Sequence, residues 1–276
     1  MVRLTRRPQP FKLSSQGFTL VEMVTVIIIL GILVIGVSSF ILLGTRIFVD
    51  STSVDQVLSQ SRFAIERMTR EIRNALPQSI RVASNGANYQ CIEFVPITAS
   101  ASYTQLPISP FTASETASVM LPQVPLSSAD QMVVYPLSSA DIYEADPSAA
   151  TGRVFNVKSI AANTITFDQA VQFEEASPQS RYFMIADAVS YCFESDGAIR
   201  RYQGYNKFNQ DQPGPAVMGN GVLMAENVVN NISSQPPIHF TNATLRNNAV
   251  VQLTPLFSVN LQEFQYQHQV QVVNVP

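Results

Sequence analysis

The stretch Gly17-Phe18-Thr19-Leu20-Val21-Glu22, running into Met23–Leu43 without a charge, decides how this chain is read. A basic leader precedes it, with Arg3, Arg6, Arg7 and Lys12 and no acid. The change from polar to apolar is abrupt and falls between Gly17 and Phe18. From Met23 to Gly44 there are 22 residues without a charge. As a helix rising about 1.5 Å per residue they would extend roughly 33 Å, enough to cross a hydrocarbon core of about 30 Å. The basic residues on the N-terminal side predict a cytoplasmic N-terminus, with the rest of the chain outside. One carboxylate, Glu22, interrupts the apolar segment near its start, and an acid inside a membrane is costly enough to require a reason.

A secretory signal peptide is the plain alternative. Its peptidase would cut after the apolar region, near Val37-Ser38-Ser39. Its apolar part, however, spans about 7–15 residues, shorter than this one, and has no use for Glu22. A simple anchor with Glu22 snorkelling to the headgroups is the other ordinary reading.

The basic leader ending in Gly17, then Phe18, the Thr19-Leu20-Val21 stretch and Glu22, resembles the signature of type IV prepilins. That resemblance implies cleavage between Gly17 and Phe18 by a prepilin peptidase and N-methylation of Phe18. It also assigns Glu22 to subunit assembly. There its carboxylate would neutralise the terminal amine of a neighbouring subunit, a pairing that matters because an unpaired buried charge costs several kcal/mol.

Composition agrees with an exported chain. Charged residues make up only 13% of the 276. Without the leader, thirteen basic residues face twenty acids, a net charge of −7. An acidic balance argues against nucleic acid as a partner, because phosphate binding needs a basic footprint. Arg200-Arg201 is a small basic spot, read as a solvated strand end. The two cysteines, Cys91 and Cys192, lie in strand-like runs. An even count in an exported chain predicts one disulfide, with two separately buried thiols as the alternative.

Past the apolar run the helical pattern continues. Ile47, Val54, Leu58, Ile65, Met68, Ile72 and Ala75, with Ser51 and Ser61 between them, alternate spacings of three and four and form a heptad seam. Glu66/Arg70 and Arg67/Glu71 are (i, i+4) pairs on the other faces, and Pro77 ends the run. A helix from Phe18 to Leu76 is predicted, about 88 Å long if straight, with residues 23–44 crossing the membrane. Gly31, Gly36 and Ser38-Ser39 are its weak points. The seam is read as the face that packs on the protein's own β-sheet.

After Pro77 the pattern changes to short strands, predicted at Gln90–Val95, Met132–Tyr135, Arg153–Ile160, Thr164–Phe167, Arg181–Ala186, Val189–Phe193, Ala198–Tyr202, Ala249–Leu253 and Glu263–Val273. Ser195-Asp196-Gly197 reads as a hairpin turn. Residues 98–150, rich in Ser, Ala, Pro and Thr, are expected to form a long loop holding one or two short strands. A short helix is expected around Met224-Ala225-Glu226-Asn227. The expected class is therefore α+β. A cleaved leader (1–17) precedes a long N-terminal helix (18–76), which packs on a mostly antiparallel β-sheet head (77–276).

Further resemblance lies in Phe63–Pro77, which is similar to the helix end of minor pilins in the pilus-assembly W and pseudopilin J group. Val189–Phe193, Arg200-Arg201-Tyr202 and His268–Pro276 are similar to a minor pilin of the mannose-sensitive haemagglutinin (MSHA) pilus. This implies a structural subunit that contributes to pilus initiation, adhesion or motility. It would sit in the inner membrane with its head in the periplasm and then in the pilus at the cell surface. The implied partners are other major and minor pilins, the prepilin peptidase, the inner-membrane assembly machinery and the lipid bilayer. A minor pseudopilin of type II secretion and a tip-displayed adhesin or lectin are the alternatives.

No catalytic constellation is visible, and no enzyme is expected. His239 and His268 have no patterned nucleophile or acid, and zinc-ligand spacing is absent. Glu174-Glu175 and Asp141/Glu144/Asp146 are candidate calcium carboxylates, but no loop has calcium-binding spacing, so no metal and no cofactor are expected. Tyr202, Tyr205 and Phe208 are a candidate sugar platform, set against the commoner role of core packing.

Overall fold

The computed structural model describes residues 17–243 and 247–272. The basic leader with Arg3, Arg6, Arg7 and Lys12, and the last residues of the run His268–Pro276, lie outside the described residues. The chain divides into two compact units, Met1–Thr52 and Ser53–Pro276. Helix α1 (Leu20–Arg73, 54 residues) contributes to both. It stops three residues short of Leu76. Asn74, Ala75 and Leu76 leave the helix through N–H bonds from Asn74 to Glu71 O, from Ala75 to Ile72 O and from Leu76 to Val95 O. The residue before a proline is steered away from helical geometry, so the turn completes the stop before Pro77.

The strands follow in chain order: β1 (Arg81–Asn85), β2 (Tyr89–Phe94), β3 (Ile97–Gln105), β4 (Ser114–Val119) and β5 (Gln131–Val133). After the short helix α2 (Ala140–Tyr143) come β6 (Thr151–Gly152), β7 (Val154–Ala161), β8 (Thr164–Phe173), β9 (Arg181–Ile185), β10 (Val189–Glu194) and β11 (Ile199–Gln203). The last are β12 (Val222–Ala225), β13 (Ile238–Thr241), β14 (Ala249–Leu253), β15 (Leu256–Val259), β16 (Gln262–Gln265) and β17 (His268–Val272). Long helix followed by a mostly antiparallel sheet head makes the protein α+β.

The first sheet has the order β1-β2-β10-β11-β12 and is antiparallel throughout. Ala64, Met68 and Ile72 of α1 recur every four residues, so they lie on one helical face. They share a core with Ile92, Phe94, Tyr191, Phe193 and Ile199 of the sheet. The small sheet β13-β14-β17 and the hairpin β15–β16 complete that core with Val251, Val270 and Phe257. Burying each such side chain contributes about 1.5–3 kcal/mol. Ser61 fits the apolar seam because its hydroxyl lies 3.0 Å from that of Tyr266. A buried hydroxyl is tolerated where it is bonded.

Cys91 and Cys192 are joined by a disulfide and face each other across β2 and β10. They pack with Tyr202 and Met218 in a separate cluster. Ser195-Asp196-Gly197 turns β10 into β11. Gly197 has φ +81°, and a Cβ there would sit 2.9 Å from Val228 O. Both facts require glycine.

Between β2 and β10 the chain builds a second layer of structure. β3, β4, β8, β7, β5 and β9 pair in that order, and β9 returns to β3, all antiparallel. The six strands close into a barrel, which removes free edges. Phe155, Phe167 and Phe173 fill it edge to face, with ring centroids 4.8, 5.9 and 6.1 Å apart. Residues 98–150 are therefore not a long loop, since they supply β3, β4, β5 and α2. The inward side chains of this stretch include Ala99 and Ala117, and the outward ones are mostly Ser and Thr, so the alternation has little hydropathy contrast. The stretch around Met224 is strand β12 and not a helix. Glu263–Val273 is not one strand either: β16 turns back on β15, whereas β17 joins β14.

Candidate processing and assembly segment

Gly17, Phe18 and Thr19 precede the helix without regular structure and are exposed. A Cβ on Gly17 would meet nothing within 4 Å. The fold therefore places no demand on that position, and any preference for glycine belongs to whatever acts on the segment. Phe18 is 83% exposed.

Thr19 is the cap of α1. Its Oγ1 accepts from the Glu22 N–H at 3.3 Å, and its carbonyl accepts from Glu22 and Met23 N–H. Thr19-x-x-Glu22 is the spacing of a capping box, in which the fourth residue's carboxylate lies beside the orphan donors of the first turn. The acid is also favourably placed near the positive end of the helix dipole. The spacing is readable from the sequence alone. Among the described residues, Glu22 has no ion-pair partner.

Every residue from Gly17 to Thr52 is exposed. An 18-residue window of α1 reaches a mean hydropathy of 3.1 with none of it buried. Apolar surface on this scale is not left to water. Its length and composition are consistent with membrane anchoring.

Residues 12–38 match the prokaryotic N-terminal methylation motif, the signal of type IV pilins and pseudopilins. The N-terminus of this chain is similar to that of type IV pilin-like proteins. The motif covers Gly17, Phe18 and Glu22 together with most of the uncharged run. No curated protein and no solved structure matches the chain. The motif implies processing by prepilin peptidase and assembly with other pilins.

The remaining candidates scatter over the head. Arg200 pairs with Glu194 at 2.8 Å and Asp196 at 2.6 Å, and Arg201 pairs with Glu71 of α1 at 2.9 Å. The basic pair is thus neutralised, and Arg201 clamps the sheet to the helix. Arg67 also reaches Glu71, at 3.0 Å. Burial pushes the Glu71 carboxyl up, but Arg201 and Arg67 outweigh it and hold the group below its ordinary range. The expected Glu66/Arg70 pair is not among the ion pairs; both side chains are exposed, where fixing two long chains gains little.

The carboxylates Asp141, Glu174 and Glu175 surround the Arg153 guanidinium at 3.6, 3.1 and 3.2 Å. Arginine takes the place a cation would fill. Among the described residues no group of three or more His, Cys, Asp or Glu is arranged to hold a metal.

Tyr202 is buried and donates to Glu194 at 2.7 Å. Tyr205 bonds Glu93 and Ser190, each at 2.7 Å. The tyrosines serve the core and do not form an exposed platform. Burial pushes the Glu93 carboxyl up against the opposing pull of Arg81 and Tyr205. Arg81, bonded to Glu93, also stacks 3.7 Å from the centroid of Tyr143. These polar groups join the first sheet to the barrel insert.

Proposed function

We propose that this chain is a minor type IV pilin of the MSHA kind, a structural and assembly subunit with no catalytic role. In this reading the peptidase cuts between Gly17 and Phe18, and the new terminus at Phe18 is methylated. The apolar half of α1 holds the subunit in the inner membrane and then enters the filament, where Glu22 meets the terminal amine of a neighbour. The head faces the periplasm and later the cell surface, and it contributes to initiation, adhesion or motility.

The observation that carries the pilin-like part is the methylation motif at residues 12–38, which runs into an apolar helix exposed from Leu20 to Thr52. The finer assignment rests on the resemblance of Val189–Phe193, Arg200-Arg201-Tyr202 and His268–Pro276. Mass spectrometry of the mature protein tests the processing: the chain should begin at Phe18 with a methylated amine. A chain beginning near Ser39 would refute it. Deleting the gene separates pilus from secretion roles, because a pilin mutant loses surface fibres and a pseudopilin mutant loses secreted proteins.

A further inference from the structure

A groove of about 620 Å³ runs along the C-terminal half of α1, beside Tyr266 and His268 near the end of the chain. Its helix-side lining includes Arg62, Glu66, Thr69, Arg70 and Arg73. These positions fall at i, i+4, i+7, i+8 and i+11, which puts them on one side of the helix. Arg67, Arg81, Arg153, Arg200 and Arg201 are all engaged with carboxylates. Arg62, Arg70 and Arg73 are engaged with none among the described residues, although they share the groove. One acid, Glu66, faces three guanidinium groups.

Beneath the groove two buried polar atoms lack partners. Thr69 is only 6% exposed, and its Oγ1 has no hydrogen-bond partner; nor has His268 Nε2. A buried polar atom left unpaired is costly, so native proteins leave few of them. Three cations without carboxylate partners against one acid describe a site that suits a guest bringing negative charge. The lining includes Ile65 and the Tyr266 ring as well, and these offer apolar contact to a chain and not merely to a small ion.

We propose that this groove receives an acidic peptide segment of a neighbouring pilin subunit, whose carboxylates pair with Arg62, Arg70 and Arg73. The proposal rests on the pilin reading, because that reading supplies the neighbour. Charge complementarity selects the segment: the groove carries a surplus of two positive charges within a chain that is otherwise acidic. Arginine also suits carboxylate better than lysine would, because its planar fork bonds both oxygens.

The test uses the full mature chain in detergent micelles and a fluorescein-labelled peptide with glutamates spaced among leucines. Wild type should bind the peptide, more weakly as salt rises, since exposed pairs are screened. The triple variant Arg62→Gln, Arg70→Gln, Arg73→Gln should bind at least tenfold more weakly with an unchanged melting temperature. Lys158→Gln with Arg181→Gln, which lowers the head's charge elsewhere, should bind like wild type. Equal binding by wild type and the triple variant, no binding by either, or equal loss in the Lys158/Arg181 control would overturn the proposal. So would tighter binding to inorganic phosphate or to anionic phosphatidylglycerol vesicles than to the peptide. Failure here leaves cleavage at Phe18 untouched, so the two readings are judged apart.

Discussion

Replacing both Cys91 and Cys192 with alanine is the sharpest test of how the head is held together. The bridge closes a loop of 101 residues in sequence. In the chain-entropy treatment a loop of that length stabilises the fold by about 4.7 kcal/mol, by restricting the unfolded chain. Cys91 and Cys192 are register partners on adjacent strands, with the barrel between them in sequence. Without the bridge, the unfolded chain regains the freedom of the whole insert. For a fold of this size, 1 kcal/mol corresponds to about 2–4 °C in the melting midpoint. The double variant should therefore melt about 9–19 °C below wild type. The assay is thermal unfolding of the full chain in detergent, followed by near-ultraviolet circular dichroism. Wild type reduced with dithiothreitol provides a second route to the same quantity and should fall by a similar amount. A drop of less than about 3 °C by both routes would show that β2–β10 pairing holds the insert without the covalent link, and the entropic reasoning would fail.

Glu22→Ala should leave cleavage and head folding intact, because the head has its own core, but co-purification with other pilins should fall. Undiminished co-purification would remove the assembly role. It should also loosen the first turn of α1 by a few tenths of a kcal/mol through loss of the acid at the helix start, seen as faster amide exchange near Leu20. Lys207 is 4% exposed and donates to Ala186 O at 2.6 Å. Burial lowers its pKa to about 8, against the raising effect of Asp187. Between pH 8 and 10 the unfolded chain thus binds more protons than the folded one, and stability should rise with pH, by about 2 kcal/mol. Above pH 10 the rise should reverse, because burial pushes Tyr182, Tyr191, Tyr202 and Tyr205 up and the unfolded tyrosines ionise first. Urea titrations at stepped pH measure this, and Lys207→Met should flatten the rise. Ile72→Ala should destabilise the head by about 2–5 kcal/mol in the same titration, since Ile72 is fully buried between helix and sheet.

The N-terminal half of this architecture is legible in the sequence because its signals are local. The uncharged run, the heptad seam at Ser61, Ile65, Met68 and Ile72, and the stop before Pro77 each need only a few neighbouring residues. Strands β2, β7, β9, β10, β11 and β14 are legible for the same reason, being rich in branched and aromatic side chains. The barrel was hidden because β3 and β4 place alanine, serine and threonine where contrast between faces is needed. Closure between β4 and both of its neighbours is a long-range property that no local pattern carries. The Arg201–Glu71 clamp joins residues 130 positions apart, and the groove of Arg62, Arg70 and Arg73 becomes visible only once every other arginine among the described residues but two, Arg46 and Arg181, is seen to be paired. Thr19-x-x-Glu22, by contrast, was readable from spacing alone.

The chain leaves the first sheet at the end of β2 and re-enters it at the start of β10, where Phe94 and Val189 are register partners. The barrel therefore hangs from a single doorway one strand spacing wide, about 5 Å. Seen this way, the head is a chassis with an exchangeable cargo. A short turn from Phe94 to Val189 would convert two strands that now lie far apart in sequence into an ordinary hairpin, with no change in their partners. An insert mounted there can be enlarged, shortened or replaced while the helix and the sheet beneath it keep the same interfaces. What the head displays can thus be changed without disturbing the sheet and helix that carry it.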